Sequence, residues 1–226
     1  MKKTILIPGL NYPSSPARTW KDTSTSLGEV SSPQVHSTNN LKRLLQILTG
    51  IPKIHILDLG RLTGPNIEWL IQRGVKVYVE DRISCLKPPP PPISLKGEKK
   101  YPPPEPLEPL DYHAKSFHAV LCWDLFDYII VNQAQEFIGQ IVRILKPRGL
   151  LLAFFNFNRS SPAPPTRYRI LREDQLEYET LPPNSIPRRI YENREIKDLF
   201  SELETLNSCF LKNQMREVLV QKRPEG

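Results

Sequence analysis

Cysteine is scarce in this chain. Cys85, Cys122 and Cys209 are the whole complement, an odd number with no C-x-x-C spacing. That argues against a disulfide framework and points to a reducing compartment, the cytoplasm. Histidine is equally thin. His36, His55, His113 and His118 are scattered, and none shares metal-ligand spacing with a cysteine or carboxylate, so no metal site is expected. Long apolar runs are missing as well. No segment reaches the ~18 consecutive apolar residues of a membrane span. The opening Met1-Lys2-Lys3 leads into Thr4 to Ile7, a run broken at once by Pro8-Gly9, which is too short for a secretory leader. The expectation is a soluble protein without a membrane partner.

Charge of one sign is never concentrated. The net charge is +7, with small basic groups at Arg167, Arg169 and Arg172 and at Arg188-Arg189. A solvated basic surface accounts for this, and nucleic-acid binding is not expected. Proline is the residue in excess, 24 in 226, and many fall between 86 and 110. With 39% apolar residues, the remainder suits one domain with a full core.

Residues 1–36, rich in Ser, Thr, Pro and Asn, read as an extended N-terminal arm, and 37–226 as the folded domain. Ser37 to Asn40 offer helix caps ahead of Leu41, Leu44, Leu45 and Leu48 at helical spacing, closed by Gly50 and Pro52. Ile54 to Leu59 reads as a buried strand. Pro65 opens a helix striped by Ile67, Leu70 and Ile71, and Val75 to Val79 is a second strand ending at Glu80-Asp81. This is a βαβ unit. Residues 86–110 carry too much proline for a helix or a central strand, and are expected as a surface insertion, part polyproline, open to a protein partner.

Phe117 to Trp123 reads as a third strand. Asn132 is placed to cap the helix of Ala134, Phe137, Ile138, Ile141, Val142 and Leu145, and Leu150 to Phe155 is a strand buried on both faces. Tyr168, Ile170, Leu176 and Tyr178 alternate as a hairpin within 158–190, a stretch expected as a substrate-side lid. A helix follows near 191–203. A terminal strand pair, Asn207 to Phe210 and Val218 to Val220, turns near Asn213-Gln214. Strands alternating with helices give an α/β sheet, Rossmann-like and doubly wound, with helices on both faces and an antiparallel C-terminal strand pair.

The informative stretch is Asp58-Leu59-Gly60-Arg61-Leu62-Thr63-Gly64, leaving a strand and opening a helix. Glycine there admits close approach of backbone amides to a nucleotide-like ligand, and Asp81, ending the next strand, is placed for ribose hydroxyls. Plainer roles stay open. The glycines suit a tight turn, Asp81 a surface ion pair, Trp123 packing, Asp124 a cap, and Cys122 buried filler.

On these residues the chain resembles the class I S-adenosylmethionine-dependent methyltransferases. Ile56 to Gly64 is similar to their first motif, Ser116 to Cys122 to their "SFDAVL" strand, and Val142 to Leu151 to "RVLKPGGLLL". The resemblance covers about residues 40–157. It implies a mostly parallel, seven-stranded sheet with its last strand antiparallel, and S-adenosylmethionine at the strands' carboxyl ends. Asp58, Gly60 and Gly64 would face its methionine half, Asp81 its ribose, and Trp123 and Asp124 the methyl group and substrate. Leu62 stands where the motif has its middle glycine, His118 replaces the acid of "SFDAVL", and the Pro-rich segment takes the place of the family's third strand.

The resemblance therefore implies a methyltransferase with a small-molecule acceptor and no designated catalytic residue, since positioning carries much of such a transfer. The departures support an alternative, a non-catalytic relative that has lost the cofactor and serves as a scaffold. A nicotinamide dehydrogenase is disfavoured, because neither 62 nor 65 is glycine.

Overall fold

The computed structural model describes residues 33–88, 91, 93–95, 98–100, 105–158, 165–182 and 186–224. Most of the N-terminal arm, part of the Pro-rich insertion and part of the 158–190 stretch lie outside the described residues.

The chain runs through β1 (Gln34–Ser37), α1 (Asn39–Leu48), β2 (His55–Asp58), α2 (Gly64–Ile71), β3 (Lys76–Val79), β4 (Ile93–Leu95), β5 (Glu98–Lys100) and β6 (Phe117–Trp123). It continues through a 3-10 turn (Leu125–Tyr128), α3 (Val131–Ile144), β7 (Leu145–Asn156), β8 (Thr166–Arg172), β9 (Gln175–Thr180), α4 (Asn193–Leu199), β10 (Leu203–Phe210) and β11 (Met215–Lys222).

Six strands form the main sheet in the order β10-β11-β7-β6-β2-β3. The pairs β2–β3, β2–β6 and β6–β7 are parallel, whereas β7–β11 and β10–β11 are antiparallel. The antiparallel terminal pair is as expected. The implied seventh strand is not among the described residues. The Pro-rich segment supplies instead β4 and β5, a separate antiparallel ribbon. Prolines remove ladder donors, so this stretch does not extend a central sheet.

Alternation along the strands divides two apolar layers. Leu57, Val120, Leu151 and Phe155 face one side, with Phe137 and Ile141 of α3 and Ile196 and Leu199 of α4. Ile56, Ala119, Leu121, Leu152 and Phe154 face the other, with Leu41 and Leu44 of α1 and Leu70 of α2. α3 and α4 thus contribute to one apolar layer, and α1 and α2 to the other.

A second sheet, β1-β9-β8, lies over the α1–α2 side, where Tyr168, Ile170 and Leu176 join the core. Residues 34–36, read from sequence as part of an arm, belong to this sheet: β1 pairs antiparallel with β9, and the His36 and Tyr178 rings meet edge to face at 4.6 Å. Its side chains lack apolar alternation because backbone pairing at an edge holds it. Thr38 caps α1, its hydroxyl accepting the Leu41 N–H at 3.2 Å. Asn132 does not cap α3. The cap position is Ile130, with no side-chain bond.

Candidate functional site

The order of the main sheet reverses between β2 and β6. From β2 the chain steps to β3 on one side, then returns to place β6 and β7 on the other. In open α/β sheets the carboxyl ends flanking such a reversal form the ligand crevice. Asp58, Gly60, Asp81, Trp123 and Asp124 all lie at this end.

Asp58 closes β2 and is buried. Its Oδ1 accepts the Gly60 N–H at 3.0 Å and the Trp123 indole N–H at 2.7 Å. Burial pushes its pKa up to about 6, although both hydrogen bonds pull the other way. The carboxylate thus fixes the turn leaving β2 and ties it to the tip of β6.

Trp123 ends β6 with φ of 49°, a left-handed conformation that bulky residues rarely adopt. Its ring is 2% exposed and stacks on Tyr168 of β8, centroids 5.4 Å apart and planes 7° from parallel, with Phe154 edge-on. The indole lies directly on Gly60. A Cβ there would come within 2.1 Å of Trp123 Cδ1. Glycine is required at 60, and this chain's own tryptophan uses the room it leaves. Gly64, the first residue of α2, has nothing within 4 Å of the position a Cβ would take, so only the helix start constrains it.

Asp81 follows β3 and turns back on the loop. Its Oδ2 accepts the Leu62 N–H at 3.1 Å, and its Oδ1 the Ser84 N–H at 2.9 Å. Leu62 is 47% exposed and does not fill the crevice. The motif's missing middle glycine is therefore accommodated by pointing the side chain outward.

Asp124 does not border an open substrate space. It is fully buried beside Asp127, and Arg188 Nη2 reaches Asp124 Oδ2 at 2.9 Å and Asp127 Oδ2 at 2.6 Å. Asp127 also accepts the Asn156 N–H at 3.0 Å. Burial raises both carboxyls, Arg188 opposes this, and Asp127 is pushed up to about 7. With one guanidinium between two carboxylates out of water, one proton is readily kept.

Several basic residues of the 158–190 stretch are likewise engaged. Arg167 pairs with Glu179 at 2.9 Å and Arg169 with Glu177 at 3.4 Å across the hairpin, and Arg189 pairs with Glu195. The hairpin itself is docked. Asn66 of α2, 2% exposed, donates to the Tyr168 carbonyl at 2.8 Å and accepts the Ile170 N–H at 2.7 Å. Sequence reading missed Asn66. A polar residue in an amphipathic stripe gives no sign of its partner, and only its place beside apolar Ile67 and Leu70 could have marked it. Cys122 is buried and its thiol is pushed well up by burial, as befits filler.

No family model and no curated protein matches the chain significantly. Among solved structures it is similar to an S-adenosylmethionine-dependent methyltransferase from Methanosarcina mazei, at 12% identity over 80% of this chain and 98% of that one, TM-score 0.44. It is also similar to the 1,6-didemethyltoxoflavin-N1-methyltransferase of Burkholderia thailandensis with bound 1,6-didemethyltoxoflavin and S-adenosylhomocysteine, at 14% identity over 82% and 79%, TM-score 0.47. A further similar structure is an S-adenosylmethionine-dependent methyltransferase from Aquifex aeolicus, at 11% identity over 80% and 89%, TM-score 0.46. What this chain binds has to be read from its own residues.

Proposed function

We propose that this chain is an S-adenosylmethionine-dependent methyltransferase of the class I fold, acting on a small-molecule acceptor, with a crevice that must open before the cofactor enters. One observation carries the reading. Gly60 leaves β2 at the point where the sheet order reverses, and carboxylates close both neighbouring parallel strands, Asp58 on β2 and Asp81 after β3.

The donor set fits the cofactor. A carboxylate at the second strand's tip suits a ribose diol, and a bare Gly60 suits close approach of a nucleoside. The volume does not fit while the Trp123 indole lies on Gly60. When bound, the cofactor supplies an electrophilic methyl on a sulfonium sulfur. Asp81 would take the ribose by releasing the Leu62 or Ser84 amide, and Gly60 and Gly64 would line the methionine side. Trp123, withdrawn, would shield the crevice from water together with Tyr168. The left-handed backbone at Trp123 favours such a withdrawal, since leaving that conformation relieves about 1–3 kcal/mol of strain.

A second reading has its own support. The same indole, stacked and hydrogen-bonded over Gly60, suits a relative that keeps the fold as a scaffold without cofactor. Calorimetric titration with S-adenosylmethionine separates the two. The methyltransferase reading expects saturable binding to the wild type, and tighter binding to Trp123→Ala. No heat from either protein at millimolar cofactor would leave the scaffold reading standing.

A further inference from the structure

At the opposite end of the parallel strands, where β2 and β6 begin, two donors face one imidazole. The His55 backbone N–H points at His118 Nδ1 from 2.9 Å, and Lys146 Nζ lies 3.0 Å from His118 Nε2. An amide can only donate, so Nδ1 carries the lone pair. The neutral ring then has its hydrogen on Nε2, facing the Lys146 ammonium. Burial first, and then the charge of Lys146, hold the His118 pKa below its usual value, which favours the neutral ring. An N–H and an ammonium that face each other are both satisfied by one shared acceptor.

A hollow of about 540 Å³ opens beside this pair. His118, Lys146 and Arg148 line it, with Glu204 as the acid among its lining residues. Ile47 and Ile51, at the end of α1 and just after it, line it as well and are 38% and 36% exposed. Arg148 has φ of 61°, a conformation suited to glycine, and Gln221 Nε2 bonds its carbonyl at 3.0 Å. The first part of β7 therefore carries an arginine at the hollow where glycine would be less strained.

We propose that this hollow is a binding site for an oxyanion carried on a short apolar body, such as a monoalkyl phosphate. The anion bridges the His118 Nε2–H and the Lys146 ammonium, Arg148 adds a second cation, and the alkyl part lies along Ile47 and Ile51. The site is remote from the Gly60 crevice and does not depend on what that crevice binds.

The test is a titration of the full chain with octyl phosphate below its micelle concentration, followed by calorimetry and by the ¹⁵N resonances of His118. Inorganic phosphate and octyl glucoside serve as comparisons. Expected is saturable binding that shifts His118 Nε2, with inorganic phosphate weaker and octyl glucoside undetected. Lys146→Gln and Arg148→Gly should each weaken it about tenfold or more, the range of a charge-assisted hydrogen bond. Glycine suits the backbone at 148, so Arg148→Gly is not expected to unfold the protein. Absence of binding at millimolar octyl phosphate, equal binding of octyl glucoside, or unchanged affinity in both variants would overturn the proposal. Equal affinity for inorganic phosphate would overturn its apolar half.

Discussion

The Trp123 indole N–H meets Asp58 Oδ1 at 2.7 Å, and this side-chain bond helps to join the carboxyl ends of β6 and β2 across the reversal of the sheet. The ring it anchors covers Gly60. Whatever this crevice does is therefore governed by the tryptophan. That makes the pair Gly60 and Trp123 the first place to probe.

Gly60→Ala should destabilise the fold by roughly 1–3 kcal/mol, because the added methyl meets the middle of a packed indole and not the end of a flexible chain. Trp123→Ala alone should cost about 3–5 kcal/mol through lost burial and stacking. In the double variant the alanine methyl has room, so the Gly60→Ala penalty should shrink toward zero. Urea unfolding of the four proteins gives the coupling. Additive effects would show that the indole does not occupy the space over Gly60.

How far this was legible from the sequence differs between the frame and the contacts. The βαβ unit, the α3 stripe, the buried strand at Leu150 to Phe155, the hairpin and the terminal strand pair all declared themselves through periodicity and turn residues. Periodicity reports which face is apolar, so the layers followed. Asp58 and Asp81 lie where β2 and β3 close, as the strand pattern of the sequence placed them. What it could not show was which group fills the hollow. Trp123 and Tyr168 are far apart in sequence and come together only when β8 docks on α2. Likewise Arg188, read as a basic residue of a lid, is locked on Asp124 and Asp127. Sequence spacing carries no trace of a pairing made by tertiary packing. The β1 strand was illegible for another reason: Gln34, Val35, His36 and Ser37 are held by their backbone, and only alternating side chains leave a pattern.

The Asp58 carboxyl gives a pH signature. Burial raises its folded pKa from 3.8 to about 6, so the native state holds this proton more tightly than the unfolded chain does. Its contribution to stability is fully present below 3.8 and is lost as pH rises through about 6. Asp58→Asn keeps an oxygen for the two N–H donors and removes the titration. Unfolding free energy measured from pH 4 to 7 should fall less steeply in Asp58→Asn than in the wild type. Parallel profiles would place the pH dependence elsewhere.

Arg188 should be among the least tolerant surface-distant charges in the chain. It is 5% exposed, and its removal leaves Asp124 and Asp127 side by side without the guanidinium that both of them meet. Arg188→Met is expected to cost about 3–5 kcal/mol at pH 7, the usual penalty for breaking a buried pair from one side. The loss should be smaller at pH 5, where Asp127, pushed up to about 7, is protonated. It should also shrink when Asp127→Asn is added. Chemical denaturation at the two pH values reads both, and a loss independent of pH would mean that packing, not charge, is what Arg188 provides.

Asn66 makes the last prediction, and it concerns motion near the crevice. Its amide holds β8 at two adjacent points, the Tyr168 carbonyl and the Ile170 N–H, and Tyr168 in turn is the stacking partner of Trp123. Asn66→Ala leaves both backbone groups buried without that partner, at about 1–3 kcal/mol each. Part of this cost is avoided if the hairpin lifts and lets water in. Hydrogen exchange should therefore show faster exchange at Ile170 and along β8–β9, with the amides of β6 and β7 unchanged. Once β8 lifts, Tyr168 no longer presses on the indole, and Trp123 fluorescence should become more accessible to an added quencher. If exchange instead rises uniformly through the main sheet, the hairpin is not a separable cover, and the crevice cannot open by releasing it alone.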